Sequence, residues 1–390
     1  MTESQTETAS IPRQTLPGVF FRFLRFGLLA WGGPVAQIAM IKQELVDQER
    51  WITPTRFNRV LAVYQVLPGP EAHELCVYFG MITRGRVGAV LAGLGFMLPG
   101  FILMFALSWF YATFGIDSPL FRALFFGFQP AAAALIVRAV HRIGGHALSN
   151  RWLWLAAILA GLLQWLEVHF LITLCVGGAV YYLIRGQFLE PGEDAHLSMV
   201  VPIALMTAST IVAATPLLTL FGYGLRSGLL TFGGAYTVIP FLQHDAVVVG
   251  GWMTNQQFLD GLALSSILPA PLIIFATFVG YLGGGPLGAL VLTVGIFLPA
   301  FAFTLIGHSF FEKLVEKKAI HAFLDGITAS VVGLIAATTI GFLQTTLIDI
   351  RTVMIFLAAL IVLFRWKSKF AVAVIMLGAG AAGLLISLLG

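Results

Sequence analysis

Charge is what this sequence has least of. Its 390 residues include 22 Lys or Arg and 18 Asp or Glu, 10% in all, against 58% hydrophobic residues and a mean hydropathy of +0.93. A soluble domain carries about 25% charged residues, so this chain cannot cover itself with a water-facing surface. Cysteine is nearly missing: Cys76 and Cys175 lie in apolar runs, without CxxC or metal-type spacing. That excludes a disulfide framework and a cysteine metal site. There is no phosphate loop, no nucleophile elbow, and no dinucleotide fingerprint set between a strand and a helix. Nor is any polar region long enough to be an ATPase domain. An enzyme is therefore the class with least support, and neither a cofactor nor a metal is implied.

What remains is a polytopic, all-α membrane protein. Its apolar runs repeatedly reach the ~20 residues that cross a bilayer. Composition and breaks place spans at 19–41, 57–81, 87–113, 119–140, 152–166 and 168–185, then 198–219. The pattern then restarts with spans at 224–247, 256–282, 287–311, 320–346, 352–365 and 370–389. That makes about 13 spans. Residues 1–17 are polar, have no basic lead into a short apolar core, and are expected to be a cytoplasmic tail rather than a signal peptide. Residues 187–197 read as a polar linker and 198–219 as a connecting helix.

The chain is written twice. Arg25 precedes Phe26-Gly27-Leu28-Leu29-Ala30-Trp31-Gly32-Gly33-Pro34, and Arg226 precedes Ser227-Gly228-Leu229-Leu230-Thr231-Phe232-Gly233-Gly234-Ala235, an offset of 226 − 25 = 201. Trp51-Ile52-Thr53 returns as Trp252-Met253-Thr254, and Leu67-Pro68-Gly69-Pro70 as Leu268-Pro269-Ala270-Pro271. Leu98-Pro99-Gly100-Phe101 returns as Leu298-Pro299-Ala300-Phe301. Two repeats result, 18–186 and 220–390, of about six spans each. Equivalent spans are seven apart, an odd number, so the halves are expected to cross the membrane in opposite senses. Inverted repeats of this kind are frequent in secondary transporters, where substrate binds near the midplane between them. With the N-terminus cytoplasmic and the C-terminus periplasmic, fifteen Lys or Arg fall inside and seven outside, in the sense of the positive-inside rule. Four of the seven exceptions are Lys42, Arg50, Arg56 and Arg59. That bias accounts for the net charge of +4 without a nucleic acid. The bilayer is the implied partner, and a homodimer is compatible with the chain.

Candidate site residues follow from the breaks. A Gly-Gly pair followed by proline weakens a helix and removes a backbone hydrogen bond. Broken helices free N–H groups that attract anions. Gly32, Gly33, Pro34, Pro68, Gly69 and Pro70, with Gly233, Gly234, Pro269 and Pro271, are accordingly the expected substrate-binding backbone. Close packing through small residues is the competing reading. Arg25 and Arg226, seven residues ahead of each Gly-Gly pair, are expected to guard the two mouths, with headgroup snorkelling as the alternative. Gln37 and Gln243 are the polar side chains that follow the breaks. Glu71, His73 and Glu74 follow Pro68-Gly69-Pro70 in one half only, since their counterparts are Leu272, Ile274 and Phe275. They are candidates for a proton relay or for structural pairing with Lys42 or Arg59. Asp260 and Asp325 have no identifiable partner.

The paired stretches FGLLAWGGPVAQI and SGLLTFGGAYTVIPFL, with VLPGPEA and ILPAPL downstream, resemble the chromate ion transporter family in its long, two-domain form. The resemblance runs from about residue 20 to the C-terminus. It implies export of chromate across the cytoplasmic membrane of a bacterium, giving resistance, with sulfate as a chemically similar competitor. The family's motif positions fall on the glycines and prolines named above. Ala235 and Ala270 depart from the first-half pattern and make a break in the second half less obvious. A sulfate or related oxyanion importer or exchanger, and an anion channel, remain the other readings.

Overall fold

The computed structural model describes residues 11, 14–114, 118–166, 168–186, 216–315 and 318–389. The tail up to residue 10, the linker 187–197 and most of the connecting stretch 198–219 lie outside them. Every regular element among the described residues is a helix. The first half comprises α1 (Leu16–Leu28), α2 (Gly33–Ile41), α3 (Pro54–Val66), α4 (Glu71–Phe114), α5 (Pro119–Ala147), α6 (Arg151–Trp165) and α7 (Phe170–Gly186). The second comprises α8 (Pro216–Leu229), α9 (Ile239–Gln243), α10 (Asn255–Ile267), α11 (Ala276–Val315), α12 (Lys318–Thr346), α13 (Ile350–Arg365) and α14 (Ala371–Leu389). Five helices are long and apolar enough to cross a membrane: those containing 71–114, 119–147, 272–306, 321–346 and 371–389. Large apolar side chains face outward along α6, α13 and α14, among them Trp154, Trp165, Ile361 and Leu388. This is a multi-pass membrane protein.

The first predicted span, 19–41, is two helices. Gly32 and Gly33 take φ of +91° and +78°, a conformation other residues seldom adopt, and the chain reverses there. Arg25 of α1 then pairs with Glu44, which continues α2 through the π-helical turns Lys42–Gln48. In one continuous helix those residues would stand about 28 Å apart. Thirteen residues of α1 rise only about 20 Å, short of the ~30 Å hydrocarbon core. The stretch is therefore a hairpin that enters and returns, not a span.

The predicted span 57–81 folds the same way. Leu67-Pro68-Gly69-Pro70 separates α3 from α4, and Phe57 stacks on Phe79 with centroids 6.5 Å apart. The chain turns again inside α4, where Gly85 has φ 62° and ψ −153°. That turn brings the backbones of Gly80 and Gly88 together with no room for a side chain. Only residues 86–114 then run on as one long helix.

The second half repeats each device. α8 is followed by a turn at Gly233 (φ +80°) and Gly234 (φ +109°), then by the 3-10 turn Ala235–Val238. Arg226 pairs with Asp245 across the hairpin, as Arg25 does with Glu44. Leu268–Pro271 separates α10 from the 3-10 turn Leu272–Phe275, and Gly280 meets Gly288 around Gly285. The break at Gly233-Gly234 forms although Ala235 stands where the first half has proline. The repeated Trp-x-Thr motif is a helix start: Thr53 Oγ1 accepts from Arg56 N at 3.1 Å, and Thr254 Oγ1 from Gln257 N at 3.1 Å.

The halves interlock. α6 and α7 pack on α12, whereas α13 and α14 pack on α5. Small residues allow this closeness: a side chain on Gly333 would meet Ala157 and Gly161, and one on Gly127 would meet Ala379 and Gly383.

Candidate site at the hairpin tips

The four hairpin turns meet one another. Gly69 N donates to Thr231 O at 2.9 Å, joining the Pro-Gly-Pro turn of one half to the Gly-Gly turn of the other. The reciprocal pair, Trp31–Gly33 and Leu268–Leu272, lines a cavity of about 30 Å³ with Tyr236, Ser265 and Lys369. Room for roughly one water is all this provides, so the turns are closed on one another. A cavity of about 640 Å³ lies between α13 and α14 and is lined by apolar side chains with Arg351. It has too few polar groups to hold an anion and is a groove on the apolar exterior.

The turn backbones lie together, whereas the polar side chains scatter. Gly32, Gly33, Gly69, Gly233 and Gly234 all occupy turns with positive φ. Pro34 stands in the first turn of α2; Pro68, Pro70, Pro269 and Pro271 are buried at the turns. Arg25 and Arg226 sit at the hairpin bases, each neutralised by a carboxylate nineteen positions on (44 − 25 and 245 − 226). The second pair is the more enclosed, with side-chain exposures of 15% and 1% against 55% and 22% in the first. Gln37 is buried and donates from Nε2 to Ala30 O at 2.9 Å, bracing its own hairpin. Gln243 donates to Asn255 Oδ1 at 2.9 Å, well away from the tips.

Glu71, His73 and Glu74 are buried around the tips. Among the described residues Glu71 Oε2, both ring nitrogens of His73 and both carboxylate oxygens of Glu74 have no hydrogen-bond partner. The His73 ring is wedged between Phe297 and Phe301 of α11, with centroids at 4.9 and 4.8 Å. The Glu74 carboxylate folds beneath Gly69, where a Cβ would come within 2.8 Å of it. Glu71 reaches across to Gly234, whose Cβ position lies 3.4 Å from Oε1. Neither Lys42 nor Arg59 pairs with any of the three. An isolated buried ion costs several kcal/mol, so these groups do not hold the fold together as paired ions.

Asp260, partnerless in the sequence, accepts from Tyr111 Oη and Gln129 Nε2, each at 2.8 Å. It ties α10 of the second half to α4 and α5 of the first. Asp325 lies 3.8 Å from His321 on an exposed face.

Sequence reasoning missed Arg138, Arg142, Tyr236 and Lys369. The three basic residues read as loop charges because they stand near predicted helix ends. Only the packing of α5 and α14 onto distant turns brings them to the tips.

No solved structure matches this chain. A chromate transport protein of Pseudomonas aeruginosa is 54% identical over 402 aligned positions, covering 99% of this chain and 95% of the relative. One of Cupriavidus metallidurans is 32% identical, covering 96% and 94%. A probable chromate transport protein of Synechococcus elongatus is 29% identical, covering 96% of each. The family model for chromate transporters matches residues 18–183 and again 218–384, one segment for each set of hairpins. With that match over most of its length, the chain belongs to the chromate transporter family.

Proposed function

We propose that this protein exports chromate across the bacterial cytoplasmic membrane and so confers chromate resistance. The observation that carries the proposal is the near full-length likeness to a chromate transport protein at 54% identity. The tips suit the ligand: chromate is a tetrahedral dianion, best held by convergent N–H donors and guanidinium groups.

The two halves are read as inverted repeats, 18–186 and 220–390. Support comes from the direction of contacts along α4. Residue 100 meets Ala270, and further on Phe105 and Tyr111 meet Tyr281 and Phe278, with centroids 5.4 and 5.0 Å apart. In α4 the chain is leaving its own hairpin base at Gly85, whereas in 270–281 it is approaching the base at Gly285. That direction favours bases on opposite faces, as inverted repeats require. The predicted helix at 198–219 would supply the crossing that inversion needs. Hairpins that return to their own side also move Lys42, Arg50, Arg56 and Arg59 to the cytoplasmic face. With Arg138, Arg142 and Lys369 left out as tip residues, the count becomes 15 + 4 − 3 = 16 basic residues inside against 7 − 4 = 3 outside, in favour of a cytoplasmic N-terminus.

A potential of ~100 mV, negative inside, acts on a dianion with about 4.6 kcal/mol, enough for a little over 10³-fold outward accumulation. Export driven by potential alone is then sufficient. The test is chromate and sulfate flux in proteoliposomes, with potential and pH gradient imposed independently. Saturable chromate flux that follows the potential is expected. Unsaturated conductance would identify a channel, and flux that ignores potential but needs a pH gradient would give the Glu71, His73 and Glu74 group the driving role.

A further inference from the structure

We propose that Arg138 and Arg142 of α5, together with the unpaired backbone amides of Gly233 and Gly234, form the oxyanion site, one for a tetrahedral dianion. This deepens the oxyanion-transport reading and rests on it. The half-buried arginines among the described residues are Arg22, Arg56, Arg138, Arg142 and Arg226. Arg22 and Arg226 pair with Glu49 and Asp245, and Arg56 reaches Tyr78 Oη at 3.4 Å. Arg138 and Arg142 alone of the five have guanidinium groups that meet no hydrogen-bond or ion-pair partner among the described residues. Like charges four residues apart on one helix face repel, and a membrane interior amplifies the penalty. A doubly charged anion between them removes both costs.

The surroundings fit such a ligand. Arg142 lies over the Tyr236 ring, 5.8 Å from its centroid, and Arg138 is close enough for its charge to act on the same residue. Ile143, next along α5, touches the Cβ position of Gly233 at 3.9 Å. The N–H groups of Gly233 and Gly234 donate no hydrogen bond to any described residue. Tyr236 and Leu135, the latter on the same face of α5 three residues before Arg138, also line the tip cavity with Lys369. Glu71 is the one carboxylate in this group: it lies against Gly234 and within the field of Arg142. It therefore competes with an incoming anion for the same charge.

The experiment is equilibrium binding of chromate to the purified full chain in nanodiscs, with sulfate as competitor, beside initial rates in proteoliposomes. The double variant Arg138→Gln/Arg142→Gln should lose about 100-fold or more in affinity, roughly tenfold for each charge-assisted contact. Arg138→Lys and Arg142→Lys keep the charge and the fold but not the planar fork, and should each fall between wild type and the double variant. Glu71→Gln should bind chromate more tightly than wild type. Retention of wild-type affinity by a folded double variant, with Lys variants likewise unchanged, overturns the site. So does a Glu71→Gln variant that binds as weakly as the double variant. Wild-type protein that binds neither chromate nor sulfate would instead overturn the transport reading itself, before any variant is compared.

Discussion

The two halves share a scaffold and differ in chemistry. Both have a Gly-Gly turn, a second turn between prolines, a third at a positive-φ glycine, and a basic–acidic pair closing the first hairpin. Beyond the second turn they part. The first half continues into α4 with Glu71, His73 and Glu74; the second has Leu272, Ile274 and Phe275 in a 3-10 turn. Gly69 leaves space for the Glu74 carboxylate, and where that carboxylate is replaced by Phe275, Ala270 places its Cβ against Gly100 instead. α5 carries Arg138 and Arg142, while the corresponding positions of α12, at the offset of 199, are Ala337 and Gly341. Both halves keep the turns that open the backbone, and Glu71, His73, Glu74, Arg138 and Arg142 belong to the first half alone.

The sharpest way to break this comparison is Arg226→Ala. Among the described residues Asp245 has no other cation in ion-pair reach, and its Oδ2 is already without a partner. Removing the arginine strands a buried charge, which costs about 3–5 kcal/mol. Thermal unfolding of the purified protein should show a large loss of Tm; a loss no greater than that of an exposed pair would mean the two hairpins are held alike. Gly127→Val and Gly326→Val come next. Both glycines stand at the crossing of a long helix with the other half's last helices. Overpacking there costs about 1–3 kcal/mol each. The two losses should be similar, and a clear inequality would show that the scaffold is less symmetric than its contacts.

The duplication, the membrane class and the tip glycines were legible because each rests on residue identity and spacing. The hairpins were not. The turn at Gly32-Gly33 falls inside a run of span length, so length and hydropathy cannot separate 19–41 as a span from 16–28 and 33–48 as two arms. The signal was present in Arg25 and Glu44 with Arg226 and Asp245, opposite charges at the same separation in both copies. Arg138 and Arg142 were invisible for another reason. The ring that Arg142 covers, Tyr236, stands 236 − 142 = 94 positions away, and only the docking of α5 brings the two together.

Glu74→Leu sharpens the chemical side of the comparison. The carboxyl is fully buried with neither oxygen satisfied, and the corresponding residue of the other half is apolar. Relief of that unmet solvation should stabilise the protein by about 1 kcal/mol or more. Transport should fall at the same time. A variant that is both more stable and fully active would reduce the acidic group to an accident of divergence.

The smallest effect is expected from Arg25→Ala, the counterpart of the largest. Arg25 is more than half exposed and lies beside its neighbour Phe26, 5.5 Å from the ring centroid. Glu44, the carboxylate it would leave behind, still has Arg22 at 3.7 Å, which also holds Glu49 at 2.6 Å. Exposed pairs of this kind contribute about 0–1 kcal/mol, and here a second arginine is in place to take over. Tm should move by a degree or two at most, and less still in high salt, because exposed charges are screened. The same substitution made in an Arg22→Ala background should have a larger effect, since Glu44 then loses both cations. If Arg25→Ala alone destabilises as strongly as Arg226→Ala, the first hairpin is as tightly closed as the second, and the difference in enclosure between the two bases has no energetic meaning.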